Sequence, residues 1–124
     1  MIFHKSTFDL PAFLAGDKTF LREVMHPAND AVDLPFSVAH ASLEVGETSL
    51  PHSLGQTEVY YILSGQGRLV VEEESIPLSA GGLAIVPSGA RQSLENTGAE
   101  PIVFLCIVSP PWTAENETIY PTEE

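Results

Sequence analysis

The side chains of this sequence best suited to chemistry are His52 and Glu58, which lie six positions apart in a region rich in β-forming residues. An imidazole and a carboxylate together suit a divalent transition metal such as iron, manganese, nickel or zinc. The same two groups could instead hydrogen-bond each other at the polar end of a metal-free pocket. Tyr60 follows Glu58 by two positions, so in a β-strand these two side chains share one face. We therefore expect a polar cluster on one face of this strand.

Short β-rich runs recur along most of the chain with turn residues between them, which is typical of a sandwich or small barrel. The runs cover 36–45, 49–52, 58–63, 68–74, 83–86, 91–95 and 102–108. Glycine accepts the positive φ of tight turns, so 64–67 is predicted to be a hairpin and 87–89 a sharp corner. Turn-forming residues at both ends of 9–16 predict one short helix, while 19–26 fits either a strand or a helical turn.

Size and charge limit the classes of partner. At 124 residues the chain is predicted to form one domain. Its net charge of −12 repels phosphate backbones and anionic lipid headgroups, so we expect no nucleic acid and no membrane partner. No apolar segment reaches the length of a membrane span or a signal peptide core, which favours a cytoplasmic protein. The single cysteine, Cys106, excludes a disulfide within the chain and is expected to be a small buried hydrophobe.

Two segments resemble the paired motifs of the cupin superfamily. The first segment, 46–65, carries Gly46, His52, Glu58 and Gly65 at the spacing of the first motif. The second segment, 81–96, matches the second motif at Gly81, Pro87, Gly89 and Asn96. Each such match has a chance of only roughly 2 to 7 per cent from average composition. Eight of them together therefore identify the chain as similar to a small single-domain cupin.

The resemblance implies an all-β fold, the cupin double-stranded β-helix or jelly-roll barrel, with the short N-terminal helix in front of it. A single cupin domain would then span 1–124, with an N-terminal arm at 1–35, the barrel at 36–108 and a C-terminal tail at 109–124. Inward side chains of such a barrel meet in a cavity. If Glu58 points inward, so do Tyr60 and Ile62, and the alternate residues of the strand face outward.

The resemblance also implies a metal site, because cupins with all four ligands hold a divalent metal through three imidazoles and one carboxylate. His52 and Glu58 occupy two of those positions here, whereas Leu54 stands at the second position and Gln92 at the fourth. Gln92 would offer only a neutral amide oxygen. The predicted metal ligands are therefore His52, Glu58 and Gln92, with one further group needed.

His40 is the candidate for that further group. If 36–45 and 49–54 form an antiparallel hairpin with residue 42 opposite residue 52, His40 lies opposite Leu54 and enters the cavity. A turn one residue shorter would point His40 away and leave it partly exposed or at an interface. The sequence leaves both registers open.

The expected function is binding of a divalent metal and a small polar or anionic organic molecule in the barrel. Glu58 and Tyr60 are the predicted catalytic residues of an isomerase, dioxygenase or decarboxylase. The alternative is a metal-free, non-catalytic module that binds a sugar-like molecule. Trp112 either packs over a barrel end or lines the mouth of the pocket.

A homodimer is also expected. Cupins often dimerise, and the outward residues of the central strand are apolar: Val59, Tyr61 and Leu63.

Overall fold

The protein is described from a computed structural model, in which residues 2–120 are defined. These residues form two antiparallel sheets packed face to face. The first sheet has the order β1 (Phe13–Leu14), β2 (Phe20–Met25), β3 (Ser37–Leu43), β10 (Ile102–Ser109), β5 (Thr57–Ser64), β8 (Leu83–Val86). The second sheet has the order β11 (Glu117–Ile119), β4 (His52–Leu54), β9 (Gln92–Asn96), β6 (Gln66–Val71), β7 (Glu74–Ser79). The expected all-β jelly roll is confirmed.

The core lies between the sheets and follows the period-two pattern of the strands. In β5, Glu58, Tyr60 and Ile62 are buried, while Tyr61 and Leu63 are exposed. Glu58 and Tyr60 therefore point inward, as expected from the sequence. Apolar side chains from both sheets close the core beneath them, including Leu43, Leu69, Leu94, Ile102 and Phe104.

The segment 64–67 does not form the predicted hairpin. β5 belongs to the first sheet and β6 to the second, so the chain changes sheets at Gly65. Gly65 has φ +84, and a Cβ there would lie 2.6 Å from the carbonyl oxygen of Pro101. Both the left-handed backbone and the close contact require glycine at this position. A hairpin instead joins β6 to β7, with Val71 opposite Glu74. It lies inside the run 68–74, which was predicted to be one strand.

The predicted hairpin between 36–45 and 49–54 is also wrong. β3 pairs with β2 and β10, whereas β4 pairs with β9 and β11 in the other sheet. The connection between β3 and β4 crosses from one sheet to the other. His40 consequently lies opposite Arg22 and Leu105, and not opposite Leu54.

Both chain ends add strands to the barrel. The N-terminal helix is a single 3-10 turn at Thr7–Asp9, shorter and earlier than the predicted 9–16. Phe13 and Leu14 are extended because they pair with β2, and the ambiguous segment 19–26 forms β2 itself. A further 3-10 turn at Ala114–Asn116 leads into β11, which joins the second sheet beside β4. The end of the predicted tail, 121–124, lies outside the described residues.

Two residues of the second motif fix the turns around β9. Gly89 has φ +86 and donates its backbone N–H to the carbonyl of Leu54 at 2.7 Å, which confirms the predicted corner at 87–89. Asn96 is buried and donates from Nδ2 to the carbonyls of Leu43 and Glu100, while its Oδ1 accepts from the Gly98 N–H. No helix within residues 2–120 has the length and apolar character needed to cross a membrane.

Candidate functional site

A cavity of about 160 Å³ lies between the two sheets. Roughly 10–15 Å³ suffices for one water molecule, so this space can take a small organic molecule. Its walls come from both sheets, from the loop before β2 and from the segment around β11. The polar side chains of interest that line it are Asp17, His52, Glu58, Tyr60 and Glu117.

His52 is the most buried ionisable group of the cavity wall, with 2% of its surface exposed. Its Nδ1 lies 2.8 Å from the carbonyl oxygen of Leu50. A carbonyl oxygen can only accept, so Nδ1 carries the proton in the neutral ring and Nε2 keeps its lone pair. That Nε2 lies 3.6 Å from Oδ2 of Asp17. His52 is thus oriented to present a free nitrogen toward Asp17.

Asp17 and Glu117 surround that nitrogen. One ligand atom from each of Asp17, His52 and Glu117 lies within 4.8 Å of the other two. Oδ1 of Asp17 accepts from the backbone N–H and the hydroxyl of Thr19, at 3.1 and 2.7 Å, which leaves Oδ2 directed at His52. Partial burial raises the pKa of Glu117, and the nearby charge of Asp17 raises it further.

The chemistry of this donor set fits a divalent metal. Ligands bonded at about 2.1 Å and adjacent around one ion are about 3 Å apart, so a small inward movement of these side chains would close the site. The two carboxylates would balance the charge of a divalent cation. Asp17 and Glu117 were not predicted from the sequence because both lie outside the two motifs.

Glu58 lies in the same cavity but does not belong to that ligand cluster. Its Oε1 is buried and has no hydrogen-bond partner among the described residues. Burial raises the pKa of Glu58 to about 7, although the His52 charge, the Cys106 thiol and the Gln92 side chain act in the opposite direction. Glu58 can therefore gain or lose a proton near neutral pH.

Tyr60 and Gln92 form a buried pair beside Glu58. The hydroxyl of Tyr60 donates to Oε1 of Gln92. Burial raises the pKa of Tyr60 well above its ordinary value, with a smaller contribution from the Glu58 charge. The phenol therefore keeps its proton, and the side-chain oxygen of Gln92 already accepts one hydrogen bond from it. Tyr60 lines the cavity and Gln92 does not.

His40 lies outside the cavity. Ala39 and Ala41, its neighbours in β3, take the inward positions, so the imidazole points to the outer face of the first sheet. There it packs edge-on against Phe8 with ring centroids 5.4 Å apart, and burial lowers its pKa, as does the Arg22 charge. This placement gives no support to the expected ligand role of His40.

Two other residues weighed from the sequence line the cavity. Leu54 is buried in its wall, and Trp112 lies at its partly exposed edge. The backbone N–H of Trp112 donates to Oγ of Ser37, and its carbonyl lies 2.6 Å from Nε2 of His26. Of the two interpretations of Trp112, lining of the pocket agrees with its position.

The fold and the cavity define a small jelly-roll barrel with a polar internal site. Residues 39–108, more than half of the chain, match the family model described as Cupin domain. The chain belongs to the cupin family.

Several named proteins are similar to it. An uncharacterised protein of Methanocaldococcus jannaschii is 30% identical over 93% of each chain. An oxalate-binding protein of Thermotoga maritima is 37% identical over 44% of this chain and 45% of its own. A glucose-6-phosphate isomerase of Thermococcus gammatolerans is 30% identical over 74% of this chain and 47% of its own.

The solved structures are similar in fold. The nucleoside dehydratase Pac13 from Streptomyces superposes with a TM-score of 0.78 and 20% identity, over 97% of this chain and 92% of its own. The polyketide cyclase RemF from Streptomyces resistomycificus superposes with a TM-score of 0.76 and 18% identity, over 94% and 89% of the two chains.

Proposed function

We propose that this protein binds a small polar organic molecule in the barrel cavity together with a divalent transition metal at His52. The observation that carries the proposal is a pair of polar atoms in one cavity that make no hydrogen bond among the described residues. Nε2 of His52 keeps a free lone pair, and Oε1 of Glu58 has no hydrogen-bond partner among the described residues. Buried polar atoms are normally paired, so each marks a place for a bound group.

The charges of the cavity favour an uncharged ligand. Its wall includes four carboxyl groups, from Asp17, Glu23, Glu58 and Glu117, while none of the five lysines and arginines of the chain lines it. A phosphate ester would therefore meet no lysine or arginine side chain in the cavity. An anionic ligand would depend entirely on the metal. The relatives named for oxalate and for a sugar phosphate support an oxygen-rich small molecule as the ligand class.

The chemistry best supported is proton transfer to or from the bound molecule. A bound metal would act as a Lewis acid that polarises an oxygen of the ligand. Glu58 would exchange the proton, because its carboxyl group lines the cavity and its Oε1 has no hydrogen-bond partner among the described residues. Tyr60 would contact the ligand from the cavity wall while its hydroxyl holds Gln92. These roles, with the preference for an uncharged ligand, favour an isomerase over a decarboxylase or a dioxygenase.

Titration calorimetry with and without metal tests this proposal. Protein purified without a polyhistidine tag would be stripped with EDTA, reloaded with Mn²⁺ or Zn²⁺, and titrated with neutral sugars, sugar phosphates and oxalate. Binding of a neutral sugar that requires metal and is lost in His52→Ala supports the proposal. Binding of a sugar phosphate by the metal-free protein would contradict it.

A metal-free binding module is the second candidate. It is favoured by the 3.6 Å separation of His52 and Asp17, because a protonated imidazole would pair with that carboxylate without any ion. In that case EDTA would not change the affinity for the small-molecule ligand. Asp17→Asn would then weaken the binding of that ligand and not the binding of a metal.

We further propose that the protein is a homodimer. The outer face of the first sheet is apolar over neighbouring strands, where Tyr61 lies between Leu83 of β8 and Leu105 of β10, and Ile107 lies opposite Val59. A continuous apolar sheet face of this kind is unusual on a monomer. A second copy of the same face would cover it in an isologous interface.

A further inference from the structure

We propose that the metal ligands of this protein are Asp17, His52 and Glu117, so that the two chain ends supply the groups missing from the cupin motif. This inference rests on the proposed metal at His52 and specifies what completes its coordination. It assigns no metal-ligand role to Glu58 or Gln92.

The strand register puts Glu117 where the motif lacks a ligand. In the pairing of β11 with β4, Glu117 lies directly opposite Leu54 and Ile119 lies opposite His52. Directly opposed residues of an antiparallel pair share one face of the sheet. His52 and Leu54 also share that face because they are two positions apart. The Glu117 carboxylate therefore projects beside Leu54, next to the His52 imidazole.

Asp17 approaches from the other sheet. It lies in the loop between β1 and β2, and Thr19 holds its Oδ1 through two hydrogen bonds. Thr19 is itself buried, so the loop presents Oδ2 to the cavity in a fixed orientation. The backbone N–H of Leu50 also donates to the carbonyl of Asp17 at 2.8 Å, which ties this loop to the segment before β4. Asp17 is thus oriented in the way that metal ligands commonly are.

His52 supplies the second, independent sign of a ligand. It is buried, its Nδ1 proton is committed to Leu50, and its Nε2 points at both carboxylates without a hydrogen bond shorter than 3.5 Å. The same orientation through a backbone carbonyl is common among metal-binding histidines. An acidic cluster alone would not define a site, but a buried imidazole nitrogen that makes no hydrogen bond within residues 2–120 and lies 3.6 Å from a carboxylate oxygen does.

Neither Glu58 nor Gln92 belongs to this cluster. Oε1 of Gln92 accepts the hydroxyl of Tyr60, and the residue does not line the cavity. Glu58 is not among the residues whose ligand atoms lie within 4.8 Å of one another. The proposed donor set of one imidazole and two carboxylates is harder than the three imidazoles and one carboxylate of the complete motif. It should therefore shift the metal preference toward Mn²⁺ relative to an imidazole-rich site.

Metal affinity of single variants tests the assignment. Mn²⁺ binding would be measured by electron paramagnetic resonance on EDTA-stripped full-length protein carrying Asp17→Asn, Glu117→Gln, Glu58→Gln or Glu23→Gln. Glu23 is the matched control because it lines the cavity outside the cluster. We expect Asp17→Asn and Glu117→Gln each to weaken binding at least about tenfold, since even outer partners of metal sites contribute that much. Glu23→Gln should leave the affinity close to that of the parent protein, and Glu58→Gln should weaken binding less than either ligand variant does.

The outcomes separate this assignment from the proposed function. Metal binding that is lost in Glu58→Gln but kept in Asp17→Asn and Glu117→Gln would overturn the assignment and leave the metal at His52 intact. Failure of the parent protein to bind Mn²⁺ or Zn²⁺ at all would overturn both. Thermal unfolding in EDTA shows whether each variant folds, and a metal-dependent rise in its midpoint that disappears only in the ligand variants would support the assignment independently.

Discussion

At the scale of single residues, Glu58 dominates the expected pH dependence of stability. Its pKa in the folded protein is about 7, against an ordinary value of 4.5, because burial disfavours the charged carboxylate. Between these two pKa values the folded protein holds a proton that the unfolded chain has lost. The free energy of unfolding therefore falls as the pH rises through this window, and the stabilisation present below the lower pKa is lost above the upper one.

We predict that this loss amounts to about 3 kcal/mol from about pH 4.5 to about pH 7.5 in the metal-free protein. Glu58→Gln should remove most of it, because a neutral amide does not titrate. Urea unfolding in EDTA at several pH values measures the free energy of unfolding of the parent and the variant. Because Glu117 is present in both proteins, its contribution cancels in the difference between them. Parallel pH profiles for the parent and the variant would contradict a buried titrating Glu58.

Tyr60 is predicted to matter for stability through its hydroxyl. Tyr60→Phe leaves Oε1 of Gln92 buried without its donor, which should cost about 1–3 kcal/mol in the free energy of unfolding. Tyr61→Phe is the matched control, because Tyr61 is 38% exposed on the opposite face of the same strand and should change stability by less than about 0.5 kcal/mol. Chemical denaturation measures both variants, and equal losses would show that the Tyr60 hydroxyl makes no special contact.

The sequence predicted part of the site at this scale. His52, Glu58 and Tyr60 were expected in the cavity, because motif spacing and strand alternation determine which side chains point inward. Asp17 and Glu117 were not expected, since their approach depends on how the chain ends pair with β2 and β4. A single acidic residue outside a motif carries no signal of such long-range pairing.

At the scale of elements, the motif glycines separate into two kinds. Gly46 and Gly65 both have positive φ, but a Cβ on Gly46 would meet nothing within 4 Å, whereas one on Gly65 would collide with Pro101 and Ile102. Gly46→Ala should therefore cost only backbone strain, about 1 kcal/mol. Gly65→Ala should cost at least about 2 kcal/mol more, because two backbones must separate.

Urea unfolding of both variants in the same buffer compares the two costs directly. The positive φ is common to both positions, so the difference isolates the contact with the 101–102 backbone. A Gly65→Ala protein as stable as Gly46→Ala would mean that the sheet change at Gly65 can relax without cost.

The element boundaries show what strand patterns can and cannot predict. Most runs of the barrel were placed within a few residues, because alternation and turn residues are local signals. The pairing of the strands is harder to predict than their positions, because a glycine-containing turn can either close a hairpin or lead the chain into the other sheet. The segments 64–67 and 44–51 both lead the chain from one sheet to the other. Which of the two connections forms depends on how the sheets pack around the core.

At the scale of the whole molecule, the outer face of the first sheet is expected to be covered by a second copy. Leu83 and Ile85 are 57% and 62% exposed at the β8 edge of this face. Light scattering at micromolar concentration should therefore give twice the chain mass of 13.4 kDa. A monomer under these conditions would contradict the dimer.

A charge on this face should separate the two copies. Ile85→Glu is expected to yield a monomer, because a buried unpaired carboxylate costs several kcal/mol at an interface. Ile76→Glu is the matched control, since Ile76 is a similarly exposed isoleucine on β7 of the other sheet. Sedimentation of both variants distinguishes a specific interface from non-specific association of apolar surfaces. A specific interface predicts a monomer only for Ile85→Glu, whereas non-specific association predicts a lower mass for both variants.

The central claim is that the barrel cavity at His52 is a binding site for a metal and a small molecule. An anomalous difference map from crystals of the Mn²⁺-loaded protein, collected near the manganese absorption edge, tests it most directly. A metal bound at His52 should give one strong peak about 2.1 Å from its Nε2, inside the cavity. A cavity without a peak, with manganese bound only on the acidic outer surface, would contradict it.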